Sequence, residues 1–147
     1  MSPKKPRSRP EAAASGGCPF CGLRPQEVVA RSAHSVAFRD RFPVSEGHTL
    51  VIPLRHVASV FDLPPPELED LFRLVAAVRA DLASAFGPDG FNVGVNDGAA
   101  AGQTIGHGHV HVIPRHVGDV PDPRGGVRWV VPARAAYWGK PKGPSGS

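Results

Sequence analysis

The chain has 147 residues, 41% hydrophobic and 20% charged, enough for one globular domain with a single core, and no apolar run in it approaches the length of a membrane span. The formal charge of +4 suggests a nucleic-acid partner until it is apportioned: Lys4, Lys5, Arg7 and Arg9 against Glu11 give residues 1–17 net +3, Lys140 and Lys142 give the last eight residues +2, and the body is left at −1. Basic tails on a near-neutral body argue against a nucleic-acid partner, and no hydrophobic segment follows the N-terminal basic residues, so the expected compartment is the cytoplasm, away from any membrane.

In chain order, residues 1–17 are Lys, Pro, Ser and Ala with no apolar period and read as a disordered basic tail; the folded body spans 18–138, and 139–147 read as a second disordered tail. Cys18-Pro19-Phe20-Cys21 opens the body. In a reducing compartment a C-x-x-C pair points to a metal or a redox couple before a structural disulfide. Residues 27–31 and 35–40 are Val-rich runs on either side of a polar turn and predict a hairpin. Thr49 to Leu54 predicts an apolar strand stopped around Pro53, with His48 just before it carrying no assigned role.

Pro64-Pro65-Pro66 leads into a helix, because proline is tolerated in a first turn. Leu68, Leu71, Val75, Val78 and Leu82 then recur at helical spacing up to Gly87-Pro88, with Phe72 and Phe86 widening the apolar face. This helix is expected to pack and to do no chemistry. Phe91, Val93 and Val95 alternate with Asn92, Gly94 and Asn96, a strand covered on one side. A Gly- and Ala-rich loop, 97–106, follows, and Val127 to Val131 predict a further edge segment. There are no internal repeats.

The chemistry lies in His107-Gly108-His109-Val110-His111-Val112-Ile113-Pro114-Arg115. Histidines at i, i+2 and i+4 share one face of a strand, at spacings of about 6–7 Å, while the valines pack on the other. Pro114 lacks an N–H, so pairing is expected to fray there. A buried face of three rings must satisfy many ring nitrogens, which disfavours a merely structural role. A metal site is one alternative, but strand H-x-H pairs usually recruit a further Glu and His. The glycine-rich loop upstream favours an anion, because its N–H groups can cradle phosphate while one imidazole attacks phosphorus and another neutralises the equatorial oxygens.

Gly102-Gln103-Thr104-Ile105-Gly106 followed by that stretch resembles the signature of the histidine triad (HIT) superfamily. The likeness extends through Val95-Asn96-Asp97-Gly98, Phe38-Arg39-Asp40 and the segment from Gly47 to His56, covering residues 18–131. It implies an α+β, HIT-like fold: an antiparallel sheet of about five strands with one long helix, paired as a homodimer. It also implies a nucleotide hydrolase or nucleotidyl transferase that cleaves at the α-phosphate of purine nucleotides, either diadenosine polyphosphates or adenosine phosphoramidates.

By the same resemblance, His109 is the nucleophile that forms a nucleotidyl-histidine. His111 and Gln103 complete the catalytic set, Gln103, Thr104 and Asn96 bind phosphate, Asp40 binds the ribose hydroxyls, and Phe20 and Phe38 line the purine pocket. Cys18, Cys21, His56 and His107 match a structural zinc site, and Mg²⁺ enters only with a polyphosphate substrate. The alternative is a nucleotide-binding regulatory partner with little turnover. Gly106 and Gly108 depart from bulkier residues in relatives, which implies a looser entry to the strand. The segment from Arg124 to Trp138 either contacts the leaving group or only finishes the sheet.

Overall fold

The computed structural model describes residues 17–139. The two expected tails therefore lie, but for Gly17 and Gly139, outside the described residues. Five strands form one sheet: β1 (Val28–Arg31), β2 (Ser35–Arg39), β3 (Thr49–Pro53), β4 (Gly90–Val95) and β5 (Val110–Arg115), in the order β1-β2-β3-β5-β4. Every pairing is antiparallel. The long helix α1 (Pro65–Phe86) links β3 to β4, and a short helix α2 (Pro132–Ala135) lies near the end of the described chain. No helix among the described residues is long and apolar enough to cross a membrane.

Two apolar clusters flank the sheet, as the two-residue period of its strands requires. On one face Ala37, Val51, Val110 and Val112 meet Leu71, Leu74, Val75, Val78 and Leu82 of α1. On the other, Val36, Phe38, Leu50 and Ile52 are covered by Phe20 and Leu23 from the N-terminal segment and flanked by Val28 of β1. Strands β2 and β3 are thus covered on both sides, which is why Thr49 to Pro53 reads as an unbroken apolar run. Helix α1 ends where Gly87 takes a left-handed conformation, φ 57°, and returns its N–H to the carbonyl of Ala83. Its Asp70 carboxylate reaches back to the β1–β2 turn and accepts from Ser32 Oγ (2.6 Å), Ser35 Oγ (3.0 Å) and the N–H of His34 (3.1 Å).

Four expectations need correction. Phe72 is 40% exposed and does not widen the core face; Leu74 fills that place. Strand β5 begins only at Val110, so His107 and His109 lie in the segment entering it and only His111 is within it. Pairing also continues through Pro114, opposite Phe91, to Arg115. The Pro114 carbonyl accepts from Ser45 Oγ on the β3 side, where the β3 ladder has already ended at Val112, so the missing N–H leaves no ladder bond unmade. Finally, Gly126–Val130 form a 3₁₀ helix rather than a strand. Gly125 and Gly126 turn the chain at positive φ, and the Arg128 guanidinium holds the fold-back by donating to the carbonyls of Arg134 and Ala135.

Candidate active site and metal centre

The face of the sheet opposite α1 is left open beside β5, and a cavity of about 420 Å³ occupies the opening. Phe20, Phe38, Leu50 and Ile105 give it apolar walls, and Asp40, His48, Asn96, Thr104, His109 and His111 supply its polar groups. This is the size and mixture expected of a small-molecule site. Phe20 stands edge-on to both Phe38 and His109, each at a centroid distance of 5.2 Å.

Hydrogen bonds define which nitrogen of each imidazole carries the proton. His109 Nδ1 lies 2.9 Å from the carbonyl of His107, which can only accept, so Nδ1 is protonated and the lone pair falls on Nε2. His48 Nδ1 accepts from the N–H of Val44 at 3.2 Å. Its Nε2–H therefore donates to His111 Nδ1, 2.9 Å away, and lies 3.4 Å from Asp40 Oδ2. The proton of neutral His111 is thereby left on Nε2. Burial pushes the His111 pKa down to about 4, with further lowering from His109 and His48 and partial relief from Asp40. His48 is also lowered, by burial first, against the raising effect of Asp40. The site thus pairs an imidazole lone pair on His109 with an N–H donor on His111, their ring centroids 5.1 Å apart.

His48, to which the sequence analysis assigned no role, lines the cavity and hydrogen-bonds His111. It lies two residues before Leu50, which pairs with His111, and it shares that face. The signal was available only after β3 and β5 had been paired. Asp40, Asn96, Thr104, Phe20 and Phe38 do come together around the cavity. Gln103 does not line it: its Oε1 accepts from the N–H of Gly98, and its Nε2 donates to the carbonyls of Ala58 and Ile105, so the amide braces the 98–105 loop. Nor does any residue of Arg124 to Trp138 line it. There Arg124 stacks on Trp138 and Arg128 on Tyr137, beside β4. Gly108 is tightly held, contrary to the expected loosening. Its N–H donates to Val57 O at 2.7 Å, and a Cβ would come within 2.8 Å of the Val60 nitrogen.

Cys18, Cys21, His56 and His107 form a second cluster, with one donor atom from each within 4.8 Å of all the others. His107 Nε2–H donates to the Pro53 carbonyl at 2.8 Å, so Nδ1 turns an unprotonated lone pair toward the cluster. Burial above all keeps this ring neutral, with its pKa near 4, although the Pro53 carbonyl acts the other way. Around that nitrogen lie His56 Nδ1 at 3.2 Å, Cys18 Sγ at 3.5 Å and Cys21 Sγ at 3.6 Å. Cys21 Sγ also lies 3.2 Å from His56 Nδ1, so two ring nitrogens and two sulfurs converge on one centre. A tetrahedral ion with Zn–S of about 2.3 Å and Zn–N of about 2.05 Å requires ligand separations of about 3.3–3.8 Å, so the arrangement fits zinc. Asp40, His48 and His111 also lie within such reach of one another, but the short His48–His111 contact is met by a shared proton.

An open antiparallel sheet carrying alternating histidines at the entry to a central strand, above a walled cavity, is the architecture of a histidine-triad protein. The family model of the HIT domain matches residues 22–118, and the chain belongs to the HIT family. It is 44% identical over 93 residues to the bis(5'-nucleosyl)-tetraphosphatase (asymmetrical) of Schizosaccharomyces pombe, covering 63% of this chain and 51% of that one. It therefore spans about half the length of that relative. It is 37% identical over 102 residues to the adenosine 5'-monophosphoramidase of the same organism, covering 67% of this chain and 74% of that protein. A crystal structure of a Zn-bound histidine triad family protein from Mycobacterium smegmatis superposes with a TM-score of 0.65 at 32% identity, covering 81% of this chain and 94% of that one.

Proposed function

We propose that this protein is a nucleotide hydrolase that cleaves at the α-phosphate of a purine nucleotide, a dinucleoside polyphosphate or an adenosine phosphoramidate, through a nucleotidyl-histidine on His109. The observation that carries the reading is the fixed tautomer pair, an Nε2 lone pair on His109 beside an Nε2–H on His111, at one polar cavity. The activities named for the two fission-yeast relatives support the substrate class.

In this mechanism the base lies against the wall that Phe20 and Phe38 form, Asp40 accepts from the ribose hydroxyls, and Asn96 and Thr104 hold phosphate oxygens. His109 Nε2 attacks the α-phosphorus while the P–O or P–N bond to the leaving group breaks and its electron pair departs with that group. His111 donates its Nε2–H to a phosphoryl oxygen as charge builds there. Water then attacks the same phosphorus, the P–N bond to His109 breaks, and the imidazole recovers its lone pair. The leaving group takes a proton from solvent as it departs, and of the two protons of the attacking water one stays with the released nucleotide and the other returns to solvent. Gln103 acts by holding the loop that carries Thr104. Cys18, Cys21, His56 and His107 would hold a Zn²⁺ ion, which supplies a cross-link between the N-terminal segment and the histidine stretch. Mg²⁺ would arrive only with a polyphosphate. The pairing of two copies along β4, the end strand on which Val93 is 43% exposed, is part of the same reading; sedimentation should give twice the chain mass.

The test is turnover of diadenosine tetraphosphate and of an adenosine phosphoramidate, measured in parallel for the wild type and His109→Ala. Cleavage that disappears in the variant supports the hydrolase, and the ratio of rates identifies the preferred leaving group. Nucleotide binding without cleavage of either compound would favour the regulatory binding partner instead.

A further inference from the structure

Phe20 occupies an unusual position in the chain, as the third residue of the Cys18-Pro19-Phe20-Cys21 knuckle. Its ring forms part of the nucleotide-sized cavity, edge-on to His109 and to Phe38. It also lies 6.0 Å from His107, the buried member of the metal tetrad. Behind the ring is a second space, a cleft of about 170 Å³ whose lining includes Phe20, Cys21, Leu23, Ile52, Leu54 and His107. Phe20 therefore forms a partition between two cavities, and both residues that tether its loop, Cys18 and Cys21, are ligands of the same tetrad. These cysteines precede the stretch matched by the family model, which begins at residue 22.

The tether matters because both ends of the short Cys18–Cys21 loop that carries Phe20 enter the tetrad. Between Gly17 and Leu23 no regular hydrogen-bonded element joins the backbone to the sheet, and β1 begins only at Val28. Its side chains engage the body of the fold through the thiols in the tetrad and the Phe20 ring among aromatic neighbours. When the tetrad is filled, Cys18 and Cys21 on either side of Phe20 are joined to His56 and His107. When it is emptied, the Phe20 ring has a cleft beside it into which it can turn.

We propose that the C-x-x-C knuckle is a metal-dependent latch on the nucleotide cavity: occupancy of Cys18, Cys21, His56 and His107 by Zn²⁺ holds Phe20 as the cavity wall, and loss of the ion lets that wall swing into the cleft behind it. The ion thereby sets affinity for the nucleotide without touching it. This inference rests on the nucleotide reading of the cavity, and Phe20 in it is a positioning and specificity residue.

The experiment is a binding cycle on the full chain, with AMP as ligand and calorimetry as readout, in four samples: zinc-loaded and chelator-stripped wild type, and zinc-loaded and stripped Phe20→Leu. Loss of one base–aromatic contact should raise the Kd for AMP by about tenfold. Stripping the wild type and substituting Phe20 should each produce that rise, and stripping the Phe20→Leu variant should add less than about twofold, because both changes remove the same wall. Reloading zinc should restore the wild type only. Equal Kd values for loaded and stripped wild type, or two effects that multiply, would overturn the latch. So would loss of the whole fold on stripping, read by far-UV circular dichroism, because a latch is local.

A second readout needs no nucleotide. At fixed pH the His109 Hε1 resonance feels the Phe20 ring current, so zinc removal should shift it toward its position in Phe20→Leu and should move it far less in that variant. An unmoved resonance would overturn the latch. If zinc-loaded wild type binds no AMP while the resonance responds as described, the latch stands and the nucleotide reading fails.

Discussion

His48 Nε2 sits 2.9 Å from His111 Nδ1, and this contact dictates that the remaining proton of His111 is on the nitrogen a phosphoryl oxygen would use. His48→Ala removes the donor and frees His111 to take the other tautomer. A lost hydrogen bond of about 1–2 kcal/mol, needed mainly as charge builds on the oxygen, corresponds to roughly a 5- to 30-fold fall in kcat. KM should change little, because both ring nitrogens of His48 are committed, to Val44 N–H and to His111, and the ring is only 3% exposed. Gln at position 48 can still present an N–H near the same point and should recover part of the loss. Steady-state kinetics of the two variants checks this; an unaltered kcat in His48→Ala would remove His48 from the mechanism.

The same pair makes stability depend on pH. Burial, with His109 and His48, depresses the His111 pKa to about 4, below the value of about 6.5 for an unfolded histidine. Between these values the unfolded chain binds a proton that the folded chain refuses, so the His111 contribution favours unfolding increasingly as pH falls from 6.5 to 4. Wild-type Tm should therefore drop across that window. His111→Asn, which does not titrate, should show a shallower drop. Parallel slopes for the two proteins from pH 6.5 to 4 would refute the assignment.

Local pattern was a good guide to the elements and a poor one to their meeting points. Helix α1 was legible because Leu71, Val75, Val78 and Leu82 repeat at its own period, and the zinc candidates were legible because the family likeness joined Cys18 and Cys21 to residues far along the chain. His48 was not, because its partner lies 63 residues away and nothing local marks it. Gln103 showed the opposite failure: its place in the motif suggested a hand on the substrate, while its amide is committed to Gly98, Ala58 and Ile105. The apolar run at Val127 to Val131 suggested a strand, but two glycines and an arginine that bonds carbonyls turned it into a 3₁₀ helix.

Asp70 ties the helix to the first hairpin, and its removal should be felt as stability rather than activity. Ser35 is fully buried, and its hydroxyl donates to Asp70. Asp70→Ala strands that hydroxyl and costs about 1–3 kcal/mol, measured by urea denaturation. Partial burial raises the carboxyl's pKa, and the hydrogen bonds from Ser32, Ser35 and the His34 N–H outweigh it, for a net lowering. The stabilisation is thus present above about pH 3.9, the unfolded value, and is lost as pH falls through the lower folded one. An Asp70→Ala protein as stable as wild type at pH 7 would show that the bridge contributes nothing.

Gly108 should be the least replaceable residue of the histidine stretch that carries no functional group. A Cβ there would lie 2.8 Å from the Val60 nitrogen, 2.9 Å from Val60 Cγ1 and 3.2 Å from the Ser59 carbonyl carbon, and the first and last of these are backbone atoms that cannot rotate away. The cost of Gly108→Ala is therefore steric overpacking, about 1–3 kcal/mol, or roughly 3–10 °C in Tm. The displaced 57–60 segment also holds the Ala58 carbonyl that receives Gln103 Nε2, so the strain reaches the 98–105 loop as well as His107 and His109 on either side. Turnover should fall with stability. Gly106 is the control: a Cβ there meets nothing within 4 Å, and Gly106→Ala should stay within about 0.5 kcal/mol of wild type. Differential scanning calorimetry of the two variants separates close packing at one glycine from open space at the other; equal Tm values for both would mean that the 57–60 segment yields to the added methyl without cost.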